Sequence, residues 1–454
     1  MCERGGQAVN AIFFALVLIA FAIAGVRQLA WQAAGPEATS PMETLSLAMV
    51  DSAGGAVTLA IGLVGVMALF LGLMKVAESG GLLVIIARTL RPLMVRLFPD
   101  VPAEHPAMGA MILNLAANVL GLGNAATPFG IRAMQELDRL NPNKGTATNA
   151  MALFLAINTS SVTLLPTGII ALRAAAGSND PAGILPTTLF ATICSTTVAI
   201  LSAKLYQRFW AAPAGASGAV GNESEAGATG KDGDPAQAQA DLPQDSAAMQ
   251  SETATAYPAW VSLTALACVA AIVPVTILYG KAIAPWIIPG LMVALLGFGV
   301  AQRVPVYETF VEGAKEGFQV ALRIIPYLVA ILVAVGMFRS SGAMELLIAP
   351  LGRLTAPLGL PPEALTMALL RPLSGSGAYG IVASVLEDPA LGPDSYVGYL
   401  VSTLQGSTET TFYVIAVYFG AVQVRRVRHA LAAGLTADLT GVVAAVAICA
   451  YLFG

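Results

Sequence analysis

A polar run interrupts an apolar stretch late in the chain, at residues 405–411 (Gln-Gly-Ser-Thr-Glu-Thr-Thr). Apolar, helix-forming sequence flanks it on both sides, at residues 396–404 and 412–424. Inside a bilayer, a polar break in a helix is costly unless it lines a cavity or a site. A carboxylate at its centre, Glu409, has the chemistry to bind a polar solute or an ion. The run therefore predicts a binding site within a membrane segment.

A second carboxylate, Asp438, lies midway through the terminal apolar stretch, residues 429–453. Ionisable groups at membrane depth cost about 2.5–3.5 kcal/mol, so Glu409 and Asp438 are both candidates for coupling to H⁺ or Na⁺. The alternative is structural: each carboxylate caps a half-helix or bonds to neighbouring hydroxyl groups. The sequence leaves both interpretations open.

Further polar side chains are grouped so that they could ring a polar ligand. Residues 158–161 (Asn-Thr-Ser-Ser) break an apolar stretch in the first half of the chain, and Asn114 and Asn118 lie four apart on one predicted helix face. Serine and threonine in membrane helices also bond back to their own backbone, which is the alternative for each hydroxyl. The predicted substrate-binding residues are Asn114, Asn118, Asn124, Asn158, Thr159, Ser160, Ser161, Ser374, Ser376, Gln405, Ser407, Thr408, Glu409 and Thr410.

The composition indicates the class of protein. Hydrophobic residues make up 56% of the chain and charged residues 11%, against roughly 25% charged in soluble domains. We therefore expect an all-α polytopic protein of the cell (inner) membrane, in contact with the lipid bilayer. The net charge of −4, with scattered basic residues, argues against nucleic acid as a partner. A homo-oligomer is compatible with the sequence.

No pattern indicates a cofactor, a metal site or an enzyme. The four cysteines are far apart, and nothing resembles a catalytic triad or a metal quartet. Residues 375–380 match G-x-G-x-x-G, but no strand precedes them, so a tight turn in a re-entrant hairpin is the better interpretation. We expect no enzymatic activity; the alternative is an intramembrane enzyme that uses Glu409 and Asp438 as an acid/base pair.

The chain divides into two membrane halves. Residues 211–256 are rich in Ala, Gly, Ser, Asp and Glu and have no hydrophobic period, which predicts a disordered cytoplasmic linker between a first repeat at 1–210 and a second at 257–454. The halves share motifs in the same order: residues 130–133 match 380–383, and residues 158–161 fall on 405–408.

The orientation of the two halves is expected to be inverted. The second half opens with two apolar segments, 257–280 and 282–302, where the first has one, so one extra crossing turns the repeat over. The N-terminus and linker are then cytoplasmic and the C-terminus external, in agreement with the positive-inside rule. Inverted repeats with re-entrant hairpins and broken transmembrane helices are typical of secondary transporters.

Several of these motifs resemble a known family. Residues 114–130 (Asn-Leu-Ala-Ala-Asn-Val-Leu-Gly-Leu-Gly-Asn-Ala-Ala-Thr-Pro-Phe-Gly) look like the signature of spore maturation protein A, and residues 371–378, 405–413 and 437–439 look like spore maturation protein B. The chain thus resembles a natural fusion of the two. Both are similar to the nucleoside-recognition or Gate domain group, which includes parts of concentrative nucleoside transporters and of ferrous-iron transport protein B. The resemblance implies a membrane transport fold.

Two further interpretations accompany a secondary transporter of a small polar solute, nucleoside-like or another small metabolite. One is a non-transporting scaffold or gate component of an envelope, peptidoglycan or spore-maturation system. The other is the intramembrane enzyme. Ligand-dependent stabilisation separates the transporter from the scaffold.

The predicted topology is open to a direct test. Reporter fusions after residue 230 and after residue 454 should report cytoplasmic and external locations respectively, because an inverted repeat places the two ends of the second half on opposite sides. The same location for both reporters would contradict the inversion.

Overall fold

The computed structural model describes residues 2–32, 39–210, 257–343, 346 and 349–454, and every regular element in these ranges is helical. The predicted linker, residues 211–256, lies outside the described residues. The helices are α1 (Cys2–Leu29), α2 (Pro41–Ser79), α3 (Leu82–Leu97), α4 (Pro106–Leu120), α5 (Gly123–Arg139), α6 (Asn149–Thr159), α7 (Thr167–Ala175), α8 (Leu185–Tyr206), α9 (Ala259–Ala301), α10 (Val306–Ser340), α11 (Ala349–Thr355), α12 (Pro362–Leu370), α13 (Gly375–Leu386), α14 (Tyr396–Ser407), α15 (Thr411–Ala421) and α16 (Ala430–Phe453), with a short 3₁₀ turn at Ala356–Leu358.

Three of the described helices, α2, α8 and α16, are long and apolar enough to cross a membrane. With 22 residues in α8 and 24 in α16, each rises about 33–36 Å, close to the roughly 30 Å of a hydrocarbon core. Large apolar side chains on their surfaces, such as Leu201, Leu439 and Val443, are exposed. This pattern suits contact with lipid, and the predicted membrane class is confirmed.

The second half repeats the element order of the first, with α2–α8 equivalent to α10–α16. Equivalent long helices pack antiparallel. In the α2–α10 pair, Gly72 lies against Phe310 while Gly336 lies against Ser52. In the α8–α16 pair, Ser195 bonds to Ala437 near the middle of both helices, and the start of α16 meets the end of α8. Antiparallel pairing of equivalent helices is what an inverted repeat requires.

One sequence prediction about the second half is wrong. We expected two crossings separated near residue 281, but α9 is a single helix of 43 residues. One glycine, Gly280, costs a helix only about 1 kcal/mol and does not end it. The relation between the halves therefore rests on the antiparallel packing, since the structure has no turn between two segments at this point.

Each half contains a helical hairpin and a broken helix, as predicted. The α4–α5 hairpin turns at Gly121, whose φ of 76° lies in the left-handed region that glycine adopts without strain. In the α12–α13 hairpin, the turn ends at Ser374. The Ser374 hydroxyl accepts a hydrogen bond from the Gly377 amide at 3.0 Å and so caps the start of α13. Each hairpin then touches the break in its own half: the Leu164 amide bonds to α4, and the Phe412 amide bonds to the residues that follow α12.

At one end of the bundle, a buried arginine joins the two halves. Arg173, at the end of α7, is 0% exposed. Its guanidinium donates to the Pro393 carbonyl at 2.6 Å, pairs with Asp394 at 3.1 Å and lies 4.2 Å from the centre of the Tyr399 ring. Asp394 also accepts a hydrogen bond from Ser178 in the α7–α8 loop. We call Arg173, Asp394 and Tyr399 the Arg173 clamp.

At the opposite end of the bundle, the loop between α15 and α16 of the second half bonds to the loop between α5 and α6 of the first half. The amides of Arg425 and Arg426, between α15 and α16, donate to the Gly145 carbonyl at 2.9 and 3.0 Å. The Arg428 guanidinium donates to the Ala147 carbonyl at 3.0 Å. The contact at this end thus joins the α5–α6 loop to the α15–α16 loop. The Arg173 clamp, at the other end, joins α7 to the α13–α14 loop, which is the second-half equivalent of the α5–α6 loop. The two halves are joined across both ends of the bundle.

The Arg173 clamp gives a pH-dependent prediction for stability. Burial raises the pKa of Asp394, but hydrogen bonds from Ser178 and Asn179 and the charge of Arg173 outweigh burial, so the folded-state pKa is lowered. The ionised carboxylate therefore stabilises the fold above its unfolded pKa of about 3.9, and this contribution is lost as the pH falls through the lower folded pKa. Asp394→Asn should reduce the free energy of unfolding by about 1–3 kcal/mol at pH 7, between the costs for exposed and for buried pairs.

Thermal unfolding in detergent at several pH values measures this effect. The difference between parent and variant should shrink below about pH 4, where the parent carboxylate is also protonated. Glu104→Gln is the control, because its carboxylate pairs with Arg91 but is 82% exposed. Equal effects of the two substitutions at pH 7 would contradict the role of the clamp.

Candidate binding site at the helix breaks

The break between α14 and α15 sends its backbone amides to other elements. In a continuous helix the Glu409 amide would bond to the Gln405 carbonyl; here it donates to the Thr159 carbonyl, in the other half, at 2.8 Å. The Thr408 carbonyl loses its helical donor in the same way, because the amide four residues on bonds to the α12–α13 turn. Two carbonyl groups are thereby left in need of other donors.

The side chain of Arg371 supplies those donors. Its Nε donates to the Gln405 carbonyl at 3.2 Å, Nη2 to the Thr408 carbonyl, and Nη1 to the Thr410 hydroxyl at 2.8 Å. Arg371 is 6% exposed. A guanidinium has five donors in a rigid fork, so one side chain can bond to several acceptors around an irregular backbone. Arg371 therefore stabilises the non-helical backbone conformation of the break between α14 and α15.

The charge of Arg371 has two carboxylate neighbours. Its Nη2 lies 3.7 Å from Glu409 Oε2, and the Glu409 side chain is 57% exposed. Asp438 adds a second negative charge to its electrostatic environment and is 5% exposed. Three ionisable groups thus lie near one another, and Glu409 is the accessible one. The structure brings together the two predicted coupling residues around an arginine.

Two glycines on α16 let both breaks pack onto the helix face that presents Asp438. A Cβ atom at Gly434 would lie 3.0 Å from Thr411 and 3.6 Å from the Thr159 hydroxyl, one residue from each break. A Cβ atom at Gly441 would lie 2.7 Å from Thr408. Asp438 lies between these two glycines, so its carboxylate faces the place where the breaks meet. We call this place the break junction.

Asp438 is only half satisfied at the break junction. The Thr411 hydroxyl donates to its Oδ2 at 2.6 Å. Its Oδ1 is buried and has no hydrogen-bond donor among the described residues. A buried carboxylate oxygen without a donor is costly, so this oxygen is suited to accept a proton, a cation or a water molecule.

The hydroxyl groups of the first break point back to α6. Thr159 and Ser160 donate to the Ala156 carbonyl at 2.9 Å, and Ser161 donates to the Ile157 carbonyl at 3.1 Å. The structure thus has the local bonding that the sequence left as the alternative for these residues. The first break contributes a backbone carbonyl, that of Thr159, to the break junction.

The predicted asparagines form a separate cluster that crosses between the halves. Asn118 donates to Asn158 at 3.0 Å, and Asn114 donates to the Ala126 carbonyl at 2.7 Å. Asn114 Nδ2 also lies 3.2 Å from the hydroxyl of Tyr418, which belongs to α15. The Asn114 side-chain oxygen is buried without a donor among the described residues. This cluster fixes the α4–α5 hairpin against the broken helix of the other half.

The remaining predicted residues have varied positions. Ser374 caps α13, and Ser407 donates to the Leu404 carbonyl at 2.9 Å. The side-chain oxygen of Gln405 is buried without a donor in the described part of the chain. The side chains of Asn124 and Ser376 lie outside the described residues.

Sequence reasoning missed Arg371 as a site residue. The match that aligns Gly130 with Gly380 places Arg371 on Gly121, so the arginine occurs in the second half only. Glu409 and Asp438 likewise occur in one half only, where the first has Val162 and Ala191. The shared asymmetry was the available signal: a lone arginine in the hairpin turn, a lone carboxylate in the break and another in the last helix, all in the same half.

A cavity of about 620 Å³ lies elsewhere, between the α5–α6 and α15–α16 loops. Its lining includes Gln135, Asp138, Lys144, Gln423 and Arg425, and none of the predicted site residues. Lys144 is already paired with Asp138 at 2.8 Å. The cavity therefore lies at the end of the bundle that carries Arg425, Arg426 and Arg428, which we call the basic end.

Comparison with known proteins follows the division into halves. The Gate family model, described as nucleoside recognition, matches residues 60–176 and 321–425, and each segment contains one hairpin and one break. Spore maturation protein B of Bacillus subtilis (strain 168) is 47% identical over 167 residues, which are 37% of this chain and 93% of that protein. Spore maturation protein A of the same organism is 46% identical over 160 residues, 35% of this chain and 82% of that protein.

Among solved structures, one of CNTnw in an outward-facing state aligns over 98% of this chain and 99% of that chain. The TM-score is 0.42 and the sequence identity 13%. This likeness is too weak to carry an argument about the site.

Arg371→Lys tests whether the guanidinium fork holds the break. Lysine keeps the charge but cannot reach three acceptors in this arrangement, so at least one buried carbonyl loses its donor. We expect the free energy of unfolding to fall by about 2–4 kcal/mol, at about 1–3 kcal/mol for each unsatisfied group. Arg96→Lys is the matched control, since the Arg96 side chain is exposed, and it should change stability little. A parent-like melting curve for Arg371→Lys would contradict the role of Arg371.

Proposed function

Because this chain belongs to the family of spore maturation proteins A and B and carries a relative of each in one polypeptide, we propose that it is a secondary transporter. It binds a small polar solute, nucleoside-like or another small metabolite, at the break junction. The two halves are inverted repeats, with the N-terminus on the cytoplasmic side and the C-terminus outside. We propose no enzymatic step.

The observation that carries this proposal is the meeting of the two breaks. The Glu409 amide bonds directly to the Thr159 carbonyl, so the ends of two broken helices from different halves touch. Broken helices that meet between repeats form the substrate site in many secondary transporters. A movement of one half against the other would part this contact and expose Glu409 and Asp438 first to one side and then to the other.

Coupling to H⁺ or Na⁺ is assigned to Asp438, with Glu409 as the accessible partner. Asp438 has one oxygen bonded to Thr411 and one buried oxygen free of protein donors among the described residues. Its protonation, or its occupation by Na⁺, would remove one negative charge from the surroundings of Arg371. Such a change favours one arrangement of the breaks over another, which is the requirement for coupling.

A second candidate is a non-transporting scaffold or gate component of an envelope or spore-maturation system. It is favoured by the first break, whose hydroxyls bond to their own helix, and by the cavity at the basic end, which no predicted site residue lines. A protein of this kind would have the same family relationship and no solute site.

A ligand screen on purified full-length protein separates these functions. Nucleosides, nucleobases, amino acids, small peptides and divalent cations are tested by thermal shift. A ligand at 100 times its dissociation constant should add about 2.7 kcal/mol of stability to the transporter. Glu409→Gln should lose the shift, and Glu104→Gln, a substitution on an exposed carboxylate, should keep it.

Reconstitution into liposomes that contain a pH-sensitive dye then tests coupling. For a proton-coupled solute, its addition should change the internal pH in the parent and leave it unchanged in Asp438→Asn. A sodium-coupled solute should require external Na⁺ instead. No thermal shift and no flux with any ligand, for a protein that unfolds cooperatively, would favour the scaffold.

A further inference from the structure

An exposed surface beside the break junction combines one carboxylate with two aromatic rings. Glu409 lies in the non-helical stretch just before α15, and Phe412 and Tyr413 lie in the first turn of that helix. The Glu409 side chain is 57% exposed, and Phe412 and Tyr413 are 36% and 43% exposed. We call these three residues the exposed lip.

The exposed lip is unsuited to contact with lipid tails. Glu409 lies between α14 and α15, at the centre of a segment whose flanks are apolar. An ionised side chain at this depth costs about 2.5–3.5 kcal/mol on the insertion scale, unless water or a partner charge stabilises it. Arg371 offers only a 3.7 Å approach and is itself bonded to backbone carbonyls of the break. The lip therefore needs an aqueous or ligand-filled environment.

The charges around the lip select the sign of the ligand. Arg371 is 6% exposed and has donors committed to Gln405, Thr408 and Thr410, so a ligand cannot reach its positive charge without breaking the structure of the break. Asp438 is 5% exposed. The accessible charge is therefore the Glu409 carboxylate, which attracts a cation and repels an anion.

We propose that the exposed lip recognises an organic cation, with a protonated amine bound at Glu409 and an apolar body lying against Phe412 and Tyr413. A carboxylate supplies a charge-assisted hydrogen bond to the amine. Aromatic faces attract cations and cover the apolar body at the same time. This inference rests on the proposed function and narrows the solute class to amines.

The test uses three probes with the same ring and different charges: 2-phenylethylamine, 2-phenylethanol and phenylacetate, with uridine as a neutral nucleoside. Binding to the purified full-length protein is measured by calorimetry and by thermal shift. We expect the amine to bind and the alcohol and carboxylate to bind about tenfold more weakly or not at all, as befits the loss of one charge-assisted hydrogen bond.

Two variants locate the interaction. Glu409→Gln should weaken amine binding about tenfold, and Tyr413→Leu about two- to fivefold, the effect of one exposed cation–π contact. Tyr413→Leu leaves every charge in place, so it remains informative if Glu409→Gln disturbs the break through Arg371. Glu104→Gln should bind the amine like the parent.

The outcomes separate this inference from the proposed function. Amine binding that both lip variants leave unchanged, or no amine binding, overturns the organic cation as ligand. If uridine binds instead and Glu409→Gln abolishes that binding, the transporter proposal stands and only the solute class is wrong. If none of the probes and no compound of the wider screen binds, both proposals fail.

Discussion

A broken helix within a membrane protein leaves backbone carbonyl groups that water cannot reach, and the second half of this chain is built around that constraint. The amide of Glu409 bonds to Thr159 in the other half, so the Gln405 carbonyl has lost its helical donor. Arg371 replaces the missing donor and bonds to the Thr408 carbonyl as well. The contact between the halves and the buried arginine therefore both supply hydrogen-bond partners to backbone groups that lost their helical partners at the break.

A buried guanidinium brings a charge that must be balanced. Glu409 and Asp438 lie in its electrostatic environment, and both are absent from the equivalent positions of the first half. That half has Gly121 where the second has Arg371, and its break is held by the Leu164 amide and by serine and threonine hydroxyls that bond locally. One break is neutral and the other charged. Divergence of two related halves has thus placed the ionisable chemistry on one side of the break junction.

The ends of the bundle join the two halves on either side of the break junction. At one end the Arg173 clamp buries a guanidinium between the halves, and at the other the backbone of residues 425–426 bonds to Gly145. Between these ends, α16 presents glycines to both breaks, and close backbone contact leaves little tolerance for added volume. The two breaks are therefore held between two ends that each join the halves.

Features that depend on local composition could be predicted from the sequence: a helical membrane protein, two halves with the same order of elements, a hairpin and a break in each, and the carboxylates Glu409 and Asp438. Apolar runs, glycines and polar interruptions act over a few residues, so they can be recognised along the chain. The single helix α9 was mispredicted because one glycine is too weak a signal for a turn. Which groups satisfy the backbone of the broken helix could not be predicted, because these groups come from distant parts of the chain. Arg371 lies 34 residues before the Gln405 carbonyl, and Thr159 comes from the other half. Such partners are chosen by three-dimensional proximity, because a buried carbonyl needs a donor from whichever element lies against it.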